Sequence, residues 1–202
     1  MSVQNSSLST PEGRSSRFCS SVLYPAYRTF KNERLRSQLR LLIPKFEGSP
    51  VYSQTIRKIY RDFHGLDVGL YTIGPCQVPP GNFPKVTTIG RYSSIYYTVK
   101  AVRAGNSLCD AYLDRLSCGI AAEQNQPKEN PDRLDIGNDV FMGHHCVILP
   151  SVRRIGDGAV IGAGSVLQSD IPPYAVVTGN PARVVRYRFS EPKIQELLAE
   201  KW

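Results

Sequence analysis

Histidine is scarce in this chain of 202 residues, with three in all and none between positions 65 and 143. Any imidazole chemistry must therefore come from His64 or from the adjacent pair His144 and His145. That pair has no third ligand at a plausible spacing, so no metal site is expected. The five cysteines (Cys19, Cys76, Cys109, Cys118 and Cys146) are odd in number, scattered, and form no C-x-x-C. Reduced thiols and a cytoplasmic address are the expectation. No apolar run approaches the roughly 20 residues that a bilayer-spanning helix needs. The opening MSVQNSSLSTPEGRSS lacks a charged-then-apolar pattern, so no signal peptide is expected.

Acidic residues are scarce at one end. Residues 1–63 hold eleven Lys/Arg against four Asp/Glu, which places +7 of the formal net charge of +8 in the first third. The remainder is nearly neutral. A uniformly basic nucleic-acid binder is excluded as a reading, and any cationic surface belongs to the N-terminal part.

The richest pattern lies between residues 136 and 171. An aliphatic residue recurs at 136, 142, 148, 155, 161 and 167, usually followed by glycine, and a small or β-branched residue usually stands four places later. One extra residue, Arg154, breaks the count. A period of six fits neither a helix at 3.6 nor a half-buried strand at two. It predicts short strands joined by tight corners, three per coil of about eighteen residues, stacked as a parallel β-solenoid. The aliphatic position points inward, and the glycine permits a turn that a Cβ would obstruct.

Four regions follow from the chain order. Residues 1–29 form a Ser-rich segment expected to be a disordered tail. Residues 30–65 hold two basic helices. The first runs from Phe30 to Ile43, with Leu35, Leu39 and Leu42 on one face and Pro44 as its stop; the second runs from Pro50 to Phe63. His64 at the helix end suits the local dipole as a positive or polar group. A basic amphipathic helix is compatible with an anionic membrane surface, and more often such a helix packs on its own domain or a neighbouring subunit. Residues 66–189 carry the hexads, interrupted by a Pro/Gly-rich stretch over 75–85 and by an excursion over 100–134. Loops displayed on a rigid scaffold are where binding and catalysis concentrate. After the Asn180-Pro181-Ala182 turn, residues 190–202 read as a closing helix capped by Ser190.

The hexads, together with Asp170-Ile-Pro-Pro-Tyr-Ala and Gly179-Asn-Pro-Ala-Arg183, resemble the hexapeptide-repeat acyltransferases. More narrowly, the chain resembles the chloramphenicol and streptogramin (xenobiotic) acetyltransferases and the polysaccharide O-acetyltransferases related to them. The resemblance covers residue 30 to the end. It implies an all-β solenoid, a left-handed parallel β-helix with N-terminal helices and a C-terminal helix, assembled as a homotrimer with acetyl-CoA as co-substrate in a cleft between neighbouring prisms. The implied acceptor is a saccharide or another small hydroxylated molecule. The resemblance places Ala163 at the corner where backbone meets pantetheine, and His144 on the cofactor side. It places Arg183 and Arg186 near the CoA phosphates, which a guanidinium suits through its fixed charge and donor fork. Gln168-Ser169 stands where the family often has Thr-Lys, which removes one phosphate contact.

The catalytic motif is altered. The family's loop reads Asn-His-x-x-Asp-Arg-x-Ser, and its histidine is the general base that takes the acceptor's proton. Here Asp114-Arg115-Leu116-Ser117 matches the second half and fixes the register, which puts Asp110 and Ala111 at the Asn and His positions. Alanine moves no proton. His145 and Asp110 are the candidate substitute bases, with Asp114 and Arg115 shaping the acceptor loop. Cys109 and Cys118 flank the motif and read as small buried residues. The alternative is a catalytically silent trimeric homologue that binds CoA or a partner protein.

Overall fold

The computed structural model describes residues 18–102 and 133–200. Among the described residues twelve short strands lie in three sheets whose neighbours are parallel except for one terminal pair. β1 (Leu66–Val68), β2 (Thr87–Ile89), β5 (Leu134–Ile136) and β8 (Arg154–Ile155) form the first sheet. The second runs β3 (Ser94–Ile95), β6 (Phe141–Met142), β9 (Val160–Ile161), β11 (Ala175–Gly179) and β12 (Ala182–Tyr187). The third holds β4 (Lys100–Ala101), β7 (Val147–Ile148) and β10 (Val166–Leu167). From β5 to β10 the chain visits the three sheets in strict rotation.

The six hexad aliphatics form three inward columns. Ile136 pairs with Ile155, Met142 with Ile161 and Ile148 with Leu167, each partner nineteen residues on. The circuit exceeds the expected eighteen by the one residue at Arg154. Asp170 absorbs that insertion: its Oδ1 accepts the backbone N–H groups of Arg153 at 2.6 Å and Arg154 at 2.9 Å. All six aliphatics are buried, as are Val140, Cys146, Val152, Ala159, Ser165 and Ile171 at the fourth place after each. Full burial of such an aliphatic side chain contributes about 1.5–3 kcal/mol, so these columns are the main source of cohesion.

The corner glycines answer to the next coil more than to the turn itself. A Cβ on Gly137 would stand 2.7 Å from the backbone nitrogen of Asp157, and one on Gly143 would stand 2.7 Å from that of Ala163. Side chains stitch the corners further. Asn138 Oδ1 accepts from the Arg91 amide at 2.8 Å, and Asp157 Oδ1 accepts from the Asn138 amide at 2.6 Å.

Several boundaries differ from the sequence expectation. The tail expected over 1–29 is helical from Cys19: a π-helical turn, Cys19–Leu23, runs into α1 (Tyr24–Thr29), and Cys19 and Tyr27 are fully buried. Burial of these two side chains against the following helices outweighs the polar composition around them. Residues 1–17 lie outside the described residues. α2 spans Glu33–Phe46 and passes through Pro44. A proline in the last turn sacrifices one backbone bond, and the Glu47 N–H closes the helix on Ile43 at 3.1 Å. The face carrying Leu35, Leu39 and Leu42 is not the one that α2 buries. Arg40, Ile43 and Pro44 are buried, while Leu35 and Leu42 face outward. The cause is Arg40, held by Tyr27 Oη at 2.7 Å, Glu33 at 2.6 Å and Ser37 at 2.9 Å.

α3 (Gln54–His64) begins later than Pro50, at the Ser53 cap, whose Oγ accepts the Ile56 N–H at 3.2 Å. Glu47, itself buried, accepts hydrogen bonds from the Ser53 and Thr55 hydroxyls. Arg57 ties α3 to the first coil by donating to the carbonyls of Gly69 and Thr72. The excursion leaves the stack after Ala101 and rejoins at Leu134, and residues 103–132 lie outside the described residues. At the far end β11 and β12 form an antiparallel hairpin, where the sequence reading continued the prism to 189. α4 (Glu191–Glu200) follows; Trp202 lies outside the described residues.

Candidate active site

Four of the proposed site residues converge on one face. His144 follows β6 at a corner, and Ala163 occupies the equivalent corner one circuit later, where the Gly164 N–H donates to the His144 carbonyl at 2.8 Å. The second sheet's outer surface continues from there. Phe141, Val160, Val176 and Arg186 are in register across β6, β9, β11 and β12. Their chain neighbours Met142, Ile161, Ala175 and Val177 point into the core. Strands in one sheet lie about 4.8 Å apart, so the row from Phe141 to Arg186 spans roughly 14 Å.

The two arginines share that outer face because of an irregularity. Val176 opposes Arg186 and Thr178 opposes Arg183, with the register shifting between Val176 and Val177 so that Val185 is an extra residue in β12. Three positions apart on a regular strand, Arg183 and Arg186 would point to opposite sides. The bulge restores them to one side. Both are exposed; Arg183 donates to the Ala182 carbonyl at 2.9 Å and Arg186 to the Tyr187 carbonyl at 3.4 Å.

At the opposite end of the row, His144 is half-buried in an aromatic wall. Its ring centroid lies 3.8 Å from that of Tyr96 and 5.6 Å from that of Tyr97, and Tyr96 also meets Phe141 edge-on. Nδ1 of His144 stands 3.3 Å from Thr98 Oγ1. The same oxygen accepts the backbone N–H of His145 at 2.8 Å. His145 adopts a left-handed backbone with φ 57° and is exposed. Among the described residues its ring meets that of His144, with centroids 6.0 Å apart. The imidazole with a positioning partner is therefore that of His144.

Tyr96, Tyr97, Thr98 and Phe141 were missed by sequence reasoning. Their signal is present in Ile95-Tyr-Tyr-Thr-Val99, where two aromatics occupy outward hexad positions directly before the coil that carries His144. Ala111, Asp110, Asp114, Arg115, Cys109 and Cys118 lie outside the described residues.

His64 departs from its expected part as a cation at a helix end. Its Nε2 faces Tyr27 Oη at 2.8 Å, and burial, followed by the Arg40 charge, holds its pKa below the ordinary 6.5. Burial likewise pushes the Cys76 thiol up to about 12, and it raises the thiols of Cys19 and Cys146. These cysteines are poor nucleophiles near neutral pH. Among the described residues no cluster of three or more His, Cys, Asp or Glu could hold a metal, and no helix is long and apolar enough to cross a membrane.

No family model matches the chain. It is 48% identical over 67 residues to a chloramphenicol acetyltransferase of Agrobacterium fabrum, covering 33% of this chain and 32% of that one. The chain thus spans about a third of the length of the chloramphenicol acetyltransferases that it matches. Soybean serine acetyltransferase complexed with serine superposes over 84% of this chain and 56% of its own, with a TM-score of 0.43 and 22% identity. A probable macrolide acetyltransferase of Lysinibacillus sphaericus is 46% identical over 121 residues, covering 56% of this chain and 67% of that protein. With that share of a relative matched at such identity, the chain belongs to the hexapeptide-repeat acyltransferases.

Proposed function

We propose that this protein transfers an acetyl group from acetyl-CoA to a hydroxyl of a saccharide or small acceptor, as a left-handed β-helix working in a homotrimer. The observation that carries this reading is the outer face of the second sheet. It joins a positioned imidazole, His144, to two guanidinium groups, Arg183 and Arg186, across the apolar row Phe141, Val160 and Val176. An extended thioester with an apolar arm and a phosphate-bearing end matches that order of chemistry. Arg183 and Arg186 offer fixed charge and donor forks to phosphate. Ala163, small and exposed, leaves the corner open to the arm. A flat outer face completes a cleft against a second wall, which cyclic assembly of three copies supplies.

The base is the imidazole of His144, in preference to His145. With Nδ1–H donating to Thr98 Oγ1, Nε2 keeps its lone pair for the acceptor's proton. The acceptor oxygen bonds to the thioester carbonyl carbon, the carbon–sulfur bond breaks, and the departing thiolate takes the proton back from His144. Positioned proton transfer of this kind is typically worth about 10²–10⁴ in rate. Asp114 and Arg115 would shape the acceptor loop. Acetyl-CoA binding by calorimetry, repeated on Arg183→Ala, tests the cofactor end; absence of binding at millimolar ligand would overturn the proposal. Acetyl transfer lost in His144→Ala and kept in His145→Ala tests the base.

Ala111 favours a second reading, a silent homologue that retains the cleft for CoA or for a partner protein. Acetyl-CoA binding without turnover on any acceptor, joined to a gain of transfer in Ala111→His, would establish it instead.

A further inference from the structure

α2 buries one face and presents another of unusual chemistry. Its outward arc is Arg34, Leu35, Gln38, Leu41, Leu42, Lys45 and Phe46, with four large apolar residues, two cations and no acid. Leu41 is 65% exposed and Phe46 50%. Phe18, just before the π-helical turn, extends the patch by packing edge-on against Phe46 with centroids 6.0 Å apart, and Val22 within the turn is also exposed. Single exposed apolar residues need no explanation, whereas a contiguous group rimmed by one sign of charge marks an interaction surface.

The charge decides what covers it. Residues 18–46 contain six Lys/Arg and one acid, Glu33. Glu33 is engaged by Arg40 at 2.6 Å, and the next acid along, Glu47, is buried against Ser53 and Thr55. Among the described residues no carboxylate lies within ion-pair distance of Arg28, Lys31, Arg34 or Lys45, all of which are exposed. A second copy docked through the same face would set these cations against themselves. An anionic surface would instead be attracted by all of them. Beside the same face lies a cavity of about 450 Å³, between the C-terminal half of α2 and residues 76–79, lined by Leu41, Pro44, Lys45, Tyr60, Cys76 and Val78. That volume falls within the range of small-ligand pockets, and a lipid tail displaced from a bilayer suits its lining.

We infer that this face docks on an anionic lipid bilayer, with α2 lying in the interface and its leucines and Phe46 among the headgroups. Apolar residues interleaved with Lys/Arg on one helix face are what such docking requires. It goes beyond the acetyl-transfer reading and survives that reading's failure. The test is co-sedimentation of the full chain with phosphatidylcholine vesicles, with and without about one-third phosphatidylglycerol. The double variants Leu41→Asp/Phe46→Asp and Arg34→Ser/Lys45→Ser alter exposed side chains, and circular dichroism verifies their fold. Binding to the anionic vesicles at least about tenfold stronger than to the neutral ones, weakened by salt and lowered about tenfold by either double variant, is the expected result. Equal binding to both vesicles, or to neither, would overturn it. So would a loss confined to the charge variant, which signals attraction to any polyanion. A drop in solution mass on Leu41→Asp/Phe46→Asp without vesicle binding assigns the face to a second copy and overturns it too.

Discussion

Tyr27 Oη bridges His64 and Arg40, accepting a hydrogen bond from the guanidinium. The Tyr27 oxygen stands 2.8 Å from His64 Nε2 and 2.7 Å from Arg40 Nη1. A protonated imidazole here would set a second positive charge beside the Arg40 guanidinium. Burial and Arg40 accordingly depress the His64 pKa below 6.5.

Stability therefore depends on pH with a definite sign. Because the folded state disfavours the proton on His64, the unfolded chain binds more of it below about 6.5. The contribution is present in full above the unfolded pKa and is lost as pH falls through that value toward the folded one. Thermal denaturation should show Tm falling by a few degrees between pH 7 and 5, and His64→Gln should flatten that slope. An unchanged slope in the variant would refute the assignment.

Gly137→Ala places a methyl group against the backbone of Asp157 in the next coil. Backbone cannot yield as a side-chain tip does, so a loss of roughly 1–3 kcal/mol is expected from this overpacking. Gly164→Ala is the contrast. It meets no neighbouring atom, and its cost comes from φ +71° alone. Urea denaturation of the two variants separates steric approach from backbone strain.

Asp170→Ala removes the acceptor that serves two amides at the Arg154 insertion. These bonds are solvent-accessible, so water substitutes in part and the expected loss is about 1 kcal/mol. Asp170→Asn, which keeps an acceptor oxygen, should recover most of it. Equal losses in both variants would show that charge, rather than geometry, holds the corner.

Thr98→Val deletes the hydroxyl beside His144 Nδ1 and changes the side-chain volume little. If that hydroxyl orients the base, kcat should fall about tenfold or more with KM for acetyl-CoA unchanged, and Thr98→Ser should restore it. A KM effect with kcat intact would place Thr98 in binding instead.

How far the sequence led depends on which interactions fix each element. The inward columns were legible because Ile136, Met142, Ile148, Ile155, Ile161 and Leu167 repeat at one spacing, and stacked coils meet nearly the same environment at each step. Arg154 was legible as a break in the count, although its remedy at Asp170, sixteen residues on, was not. The buried face of α2 was not legible because Arg40 turns inward to meet Tyr27, a contact between residues in different helices that no periodicity encodes. The shared face of Arg183 and Arg186 was hidden for a related reason: a bulge at Val185 is a property of pairing, and Val184-Val185 reads as ordinary strand. The aromatic wall around His144 comes from Tyr96 and Tyr97 one coil earlier, a distance of nearly fifty residues in the chain.

The stack closes over its own interruption. Ile89 pairs directly with Ile136, and Lys100 with Val147, so the strands before and after the missing hexads behave as consecutive rungs. Whatever the chain does between Ala101 and Leu134 is thereby uncoupled from the scaffold's register. Doubling the length of such a connection costs only about 0.6 kcal/mol in closure entropy. The connection between Ala101 and Leu134 can therefore change in length or sequence while the coils on either side keep their pairing, so the scaffold constrains its two anchor points and little else.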